Sequence, residues 1–201
     1  MRLLKILINS LNQISFKRIK ILIIILIFSP NFAYSFKSDA EYALLIEYET
    51  DQVLYEKNSR KKIYPASMSK LMTLYVLFDY LEKNIISLDE KIFISENAWR
   101  KGGAVSDSST MFAEVSSYIS VENIIKGIVI QSGNDACIAI AEAISGSEEI
   151  FSDEMNSYAK ILGMNDTNFV NSTGLHDDNH YSTPLDMTIL AKSLIKDFPN
   201  F

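Results

Sequence analysis

The sequence of this 201-residue chain predicts an α+β fold in which a helical region packs on an antiparallel hairpin. Three observations predict it. Residues 42–56 hold a pair of short β-prone runs, and a helix-length apolar run, Leu71 to Leu81, follows the entry residue Pro65. Two more such runs, Val121 to Gln131 and Asp135 to Ser145, flank a polar break.

Residues 1–35 read as a segment apart. They carry Arg2, Lys5, Lys17, Arg18 and Lys20 with no acid, then the apolar run Ile21 to Phe28, then Ala33-Tyr34-Ser35. A basic start, a short apolar stretch and a small-x-small site mark a secretory signal peptide, with cleavage expected after Ser35. The apolar run falls short of the roughly 20 residues that a spanning helix needs. The chain is therefore expected to be exported, to the periplasm or the outer face of a bacterial inner membrane. An uncleaved interfacial anchor, giving peripheral membrane association, is the alternative. The whole chain has a net charge of −6, so residues 36–201 without those five cations carry −11. Nucleic acid is disfavoured as a partner, because phosphates need a basic footprint. Residues 36–201 suffice for one domain with a substantial core. The single cysteine, Cys137, excludes an intrachain disulfide, and its neighbours Ala136, Ile138, Ala139 and Ile140 predict a small buried residue.

Along the exported part, Tyr42 to Tyr48 and Gln52 to Glu56 read as a hairpin turning at Thr50-Asp51, since Asp tolerates positive φ. Residues 57–65 are basic and irregular. Pro65, with its fixed φ, suits entry to a helix running from Ala66 or Ser67 to about Lys83. Between 84 and 120, short apolar pieces, Gly102-Gly103 and a serine cluster at 106–109 predict short strands and turns at the surface. Ser132-Gly133-Asn134 separates two buried helices. Ser147 to Leu162 is amphipathic and stops at Gly163, a favoured C-cap residue. Residues 164–183, rich in Asn, Asp, Thr and Ser, form an extended loop before a last helix from about Pro184 to Lys196.

Ser67 and Lys70 fall in Pro65-Ala66-Ser67-Met68-Ser69-Lys70, where the basic stretch gives way to an apolar helix. Helical residues at i and i+3 share a face roughly 5–6 Å apart, so the Lys70 amine can reach the Ser67 hydroxyl. A free hydroxyl is a weak nucleophile that an adjacent base activates. Backbone N–H groups and the positive end of the helix dipole would favour an oxyanion, and a neutral amine, at that corner. The spacing alone is weak, because Ser59/Lys62, Ser157/Lys160 and Ser193/Lys196 match it too. Only the Ser67 match opens a helix that is apolar nearly all round. The plainer alternative is a capping or first-turn serine.

Gln131-Ser132-Gly133-Asn134-Asp135 concentrates polar groups between apolar helices, and buried polar groups find partners or serve chemistry. Ser132 could relay a proton and Asn134 could hold a substrate carbonyl in a cleft shared with Ser67. Alternatively, either residue caps the following helix. Ser-x-Asn also occurs at Ser10/Asn12, Ser29/Asn31 and Ser95/Asn97.

In order and context, these motifs, followed by Asn171-Ser172-Thr173-Gly174-Leu175 and Tyr181-Ser182-Thr183, resemble the low-molecular-mass penicillin-binding proteins that are D-alanyl-D-alanine carboxypeptidases. The resemblance covers essentially all of 40–201. Class A β-lactamases share the Ser-x-x-Lys logic but typically carry Ser-Asp-Asn as the second motif; Gly133 at the middle position favours the carboxypeptidase branch. The resemblance implies the transpeptidase-like fold, with its helical region on an antiparallel sheet of which this chain holds the N-terminal hairpin. It implies a serine peptidase acting on the D-Ala-D-Ala end of peptidoglycan pentapeptides, trapped by β-lactams, with no metal or organic cofactor. Ser67 would be the nucleophile and Lys70 its base. Ser132 would deliver a proton to the leaving D-alanine, and Asn134 would hold the acylated peptide.

The family's third motif, Lys-Thr-Gly, has no counterpart after Asn134; Lys101-Gly102-Gly103 lies in the wrong place. In the family that strand supplies an oxyanion-hole N–H, and losing one such donor costs about 10²–10³ in rate. The domain at 36–201 is therefore expected to be C-terminally incomplete, poorly soluble alone and little labelled by penicillins, in the limit a remnant that binds without turnover. His176 and His180, with Asp177 and Asp178, could form a metal site or a triad. The segment reads as loop rather than helix, no Gly-x-Ser-x-Gly elbow occurs, and the expectation is a polar surface loop near the cleft.

Overall fold

The computed structural model describes residues 36–201; the expected signal peptide lies outside the described residues. The hairpin is there but shorter than its sequence pattern. Strand β1 (Ala43–Ile46) pairs antiparallel with β2 (Val53–Lys57), Ala43 opposite Lys57, and the register shifts between Leu45 and Ile46. Its loop is wider than two residues because Glu47 closes it. The Glu47 carboxylate accepts from the Thr50 N–H and hydroxyl at 2.6 Å each, and Asp51 takes the left-handed conformation at φ 59°.

Helix α1 (Lys70–Glu82) is preceded by a 3-10 turn, Ala66–Ser69. From Met72 to Phe78 every residue of α1 is buried, which is what an apolar run without a polar face must do. Short strands β3 (Lys91–Phe93) and β4 (Tyr118–Ser120) pair antiparallel as a second two-stranded sheet, as the 84–120 pattern predicts in kind. The same region also contains a helix not foreseen there, α2 (Glu96–Gly102). Its signals are ordinary ones: Ser95 accepts from the Ala98 N–H at 2.9 Å, Glu96 opens the first turn and pairs with Arg100 four residues on.

Helices α3 (Val121–Gln131) and α4 (Asn134–Ser145) follow, then α5 (Glu148–Leu162), capped by the Ser147 hydroxyl and ended by Gly163 at φ 85°, and α6 (Pro184–Asp197), capped by Thr183 with Pro184 in its first turn. Helices α1 and α4 make the middle of the core, α4 being buried from Asn134 to Ala141. Helices α5 and α6 lie against α1, and α2 and α3 against α4. Contact between α2 and α4 is so close that a methyl group at Gly102 would stand 2.3 Å from the Asp135 nitrogen.

That approach fixes what residue 102 can be. Gly102→Ala is expected to lose about 1–3 kcal/mol of stability, read from the denaturant midpoint, because the obstacle is backbone and cannot rotate away.

Candidate active site

Ser67 sits on the 3-10 turn, not in the first turn of the α-helix that the sequence pattern suggested. In a 3-10 turn side chains three apart eclipse one another, which sets Lys70 over Ser67 more directly than an α-helix would. The Lys70 Nζ donates to the Ser67 Oγ at 3.1 Å and to the Thr173 carbonyl at 2.7 Å. Ser67 is exposed and its side chain caps nothing, whereas Lys70 is only 4% exposed. The expected open array of N–H groups is partly taken up, since the Met68 N–H bonds the Pro65 carbonyl and the Lys70 N–H the Ser67 carbonyl.

No carboxylate pairs with Lys70 among the described residues. Burial pushes its amine below the ordinary lysine value of 10.5. The nearby Cys137 offers no counterion, because full burial pushes that thiol up to about 12 and keeps it neutral. Cys137 is thus the small buried residue its neighbours predicted.

Ala66, just before Ser67, is held at φ 48°, a conformation that costs a non-glycine residue about 1–3 kcal/mol. The segment 168–182 holds it there. Ile63 and Ser182 exchange backbone hydrogen bonds at 2.8 and 3.0 Å, and Asn168 pairs with Tyr181. Gly174, itself at φ 81°, packs so tightly that a methyl there would meet the Ala66 oxygen at 1.8 Å. Asn171 shapes the loop by accepting from the Thr173 N–H, the Thr173 hydroxyl and the Gly174 N–H, and the Thr73 hydroxyl donates to the Ser172 carbonyl at 2.6 Å. The Thr173 carbonyl is aimed at Lys70 as a result.

Ser132 and Asn134 stand at the junction of α3 and α4. Neither caps α4 by its side chain; Gly133 is the cap residue, and Ser132 ends α3 in the left-handed conformation at φ 54°. The half-buried Ser132 hydroxyl makes no hydrogen bond among the described residues. The buried Asn134 donates from Nδ2 to the Ser108 Oγ at 3.0 Å, and its N–H bonds the Ser109 carbonyl. Helix α4, which opens at Asn134, packs against α1, which opens at Lys70, so the two motifs stand on neighbouring helices. Ser67 and Lys70 are joined by a hydrogen bond; Ser132 and Asn134 bond neither of them.

Several contributors were not legible as such. Asp135, fully buried, accepts from the Thr110 hydroxyl and from the Met111 and Ala113 N–H groups, which ties residues 110–113 to the start of α4. The serine cluster at 106–109, read as a surface turn, supports Asn134. His180 corrects the histidine expectation: His176 is exposed as predicted for a surface loop, but His180 is 2% exposed and bonds the Ser69 Oγ at 2.7 Å. No group of three or more His, Cys, Asp or Glu side chains suited to a metal occurs among the described residues.

The sequence profile of the D-alanyl-D-alanine carboxypeptidases matches residues 30–201. The chain belongs to that family. It is 46% identical over 158 residues to D-alanyl-D-alanine carboxypeptidase DacF of Bacillus subtilis, covering 79% of this chain and 39% of that protein. The crystal structure of the carboxypeptidase DacD from Francisella tularensis is similar with a TM-score of 0.77 at 38% identity, over 83% of this chain and 39% of that one. Penicillin-binding protein D2 from Listeria monocytogenes, in its ampicillin-bound form, is similar with a TM-score of 0.69 at 30% identity, over 85% of this chain and 65% of that one. The chain spans about two fifths of the length of these curated relatives. Its helical region with a small antiparallel sheet has the penicillin-binding fold of these neighbours.

Gly174→Ala is expected to cost about 1–3 kcal/mol, since it strains both a positive φ and a backbone contact. A denaturation series compared with Gly146→Ala, where a methyl meets nothing within 4 Å and only φ is strained, isolates the contact.

Proposed function

We propose that this chain carries the acyl-transfer centre of a serine-type D-Ala-D-Ala carboxypeptidase. The Ser67 Oγ attacks the carbonyl between the two terminal D-alanines of a peptidoglycan pentapeptide, and Lys70 accepts the hydroxyl proton. The tetrahedral adduct collapses with cleavage of its C–N bond as the Ser132 hydroxyl relays the proton held by Lys70 to the departing D-alanine amine, leaving the shortened peptide as an ester on Ser67 with Asn134 holding it and Ser132 and Lys70 back in their starting forms. Water then cleaves the ester. β-Lactams acylate the same oxygen. The reaction uses no metal or organic cofactor.

One observation carries the reading: an exposed serine oxygen lies 3.1 Å from a buried amine that lacks a counterion and is held below its ordinary pKa. Nucleophile and base in hydrogen-bond reach, the base oriented by a third group, here the Thr173 carbonyl, is the arrangement that activates a hydroxyl. The named relatives support the substrate class. The leader at 1–35 supports export to the periplasm or the outer membrane face, where such peptides are found, with residues 36–201 as the penicillin-binding domain; no described helix is long and apolar enough to cross a membrane. A second reading, binding of penicillin or peptide without efficient turnover, is favoured by Ser132 and Asn134 making no hydrogen bond to Ser67 or Lys70. A β-lactamase role is disfavoured by Gly133, and hydrolysis of nitrocefin should be absent or very slow.

Incubated with a fluorescent penicillin, the chain should take up label slowly and at Ser67 alone, and Ser67→Ala should abolish it. Label that survives the substitution sinks the proposal, whereas a folded chain that binds penicillin or a pentapeptide mimic but releases no D-alanine supports the second reading.

A base must be unprotonated to act, so the labelling rate should climb as pH rises through the lowered Lys70 pKa, with its midpoint clearly below 10.5. Lys70→Met should remove that limb and slow labelling by about 10²–10⁴-fold, the usual share of a general base. An unchanged profile in the variant would exclude Lys70 from the role.

A further inference from the structure

The His180 ring is almost wholly buried, packs edge-on against Phe169 at 5.6 Å between centroids, and belongs to no part of the chemistry above. Both its nitrogens are engaged. The Val170 N–H donates to Nδ1 at 3.2 Å, and a backbone N–H can only donate, so Nδ1 carries the lone pair and the ring proton sits on Nε2. That nitrogen faces the Ser69 Oγ at 2.7 Å, in a bond linking positions 111 residues apart. Ser69 is fully buried and lies between Ser67 and Lys70 on the 3-10 turn. Burial also lowers the His180 pKa, against the opposing pull of Asp177, which agrees with a ring that keeps one proton.

We propose that His180 is a positioning residue for the nucleophile: through its Nε2–H bond to the Ser69 hydroxyl it fixes the Ala66–Ser69 turn and so the reach of Ser67 to Lys70. The main chain of this turn is strained at Ala66, and of the side chains within it only Ser67 and Ser69 carry polar groups. Ser67 faces outward to react, so Ser69 alone can anchor the turn by a side-chain hydrogen bond, and His180 is the group it meets. The backbone pairing of Ile63 with Ser182 anchors the chain before the turn; the His180 bond anchors the turn itself.

The proposal rests on Ser67 as nucleophile, and its test separates the two. Gln at 180 can place an amide donor where Nε2 stood; Asn can offer Val170 an acceptor in place of Nδ1 but is too short for Ser69. His180→Gln should keep most of the wild-type rate of Ser67 acylation by penicillin. His180→Asn should slow it by about ten- to a hundredfold, the loss that misplacing a reacting group brings, in the acylation rate constant and not in the noncovalent binding constant. Ser69→Ala should slow it similarly, and adding it to His180→Asn should cost little more. Independently of any chemistry, ¹⁵N spectra at pH 7 should show His180 protonated at Nε2 only. Amide exchange at Met68 to Lys70 should quicken in the Asn variant and not in the Gln variant. An Nδ1-protonated ring, equal rates for Gln and Asn, or unchanged exchange in both would overturn the proposal. A wild-type chain not acylated at Ser67 removes the nucleophile reading, while the spectra and the exchange still decide the anchor.

Discussion

The structure turns on an amine kept out of water without an anion to match it. The Lys70 amine has a serine oxygen and a peptide carbonyl for company, and neither neutralises it. Burial disfavours the charged form of an amine so placed and lowers its pKa below the ordinary lysine value. The burial of α1 produces the situation: the helix is apolar on nearly every side, and Lys70 is the residue at which it emerges from the core toward the turn. Placing the amine one turn deeper would leave it away from the hydroxyl; placing it outside would restore its hydration and its ordinary basicity.

Around this pair the chain spends long, irregular segments on orientation. The 168–182 segment sets the Thr173 carbonyl, the Gly174 contact and the His180 bond on one side of the nucleophile turn. Residues 106–113 do the equivalent for the start of α4, where Asp135 gathers three donors from 110–113 and the hydroxyls of Ser106 and Ser108, 2.7 Å apart, lead to the Asn134 amide. Both segments are polar and lack regular structure. Their backbone groups are satisfied largely by Asn, Asp, Ser and Thr side chains, which is why such residues are dense there.

That division explains what could be read from the sequence. Helices announce themselves by apolar period and caps, so α3, α4, α5 and α6 were legible to within a residue or two, α1 at its end but three or four residues early at its start, and the hairpin from its two β-prone runs. Ser67 with Lys70 was legible because three residues of separation is a local fact. Helix α2 was missed because its seven residues carry little apolar period, although Ser95 and Glu96 signalled its start. The 3-10 turn was missed because Pro65 suits either entry, and the close packing of Gly174 on Ala66, more than a hundred positions away, leaves no local trace. His180 was misplaced on the surface for the same reason: nothing within ten residues of it reveals that Ser69 is its partner. Contacts made across long separations between irregular segments leave no periodic trace.

Cys137 has a further consequence. An ionised thiol is the side chain that electrophiles modify most readily, yet here the sulfur is enclosed by α4 and its neighbours and kept from ionising by burial, while the exposed Ser67 meets the Lys70 amine. An electrophilic warhead applied to this chain should thus discriminate by access and ionisation rather than by softness, and a thiol-selective alkylator should leave the native protein unmodified until it unfolds.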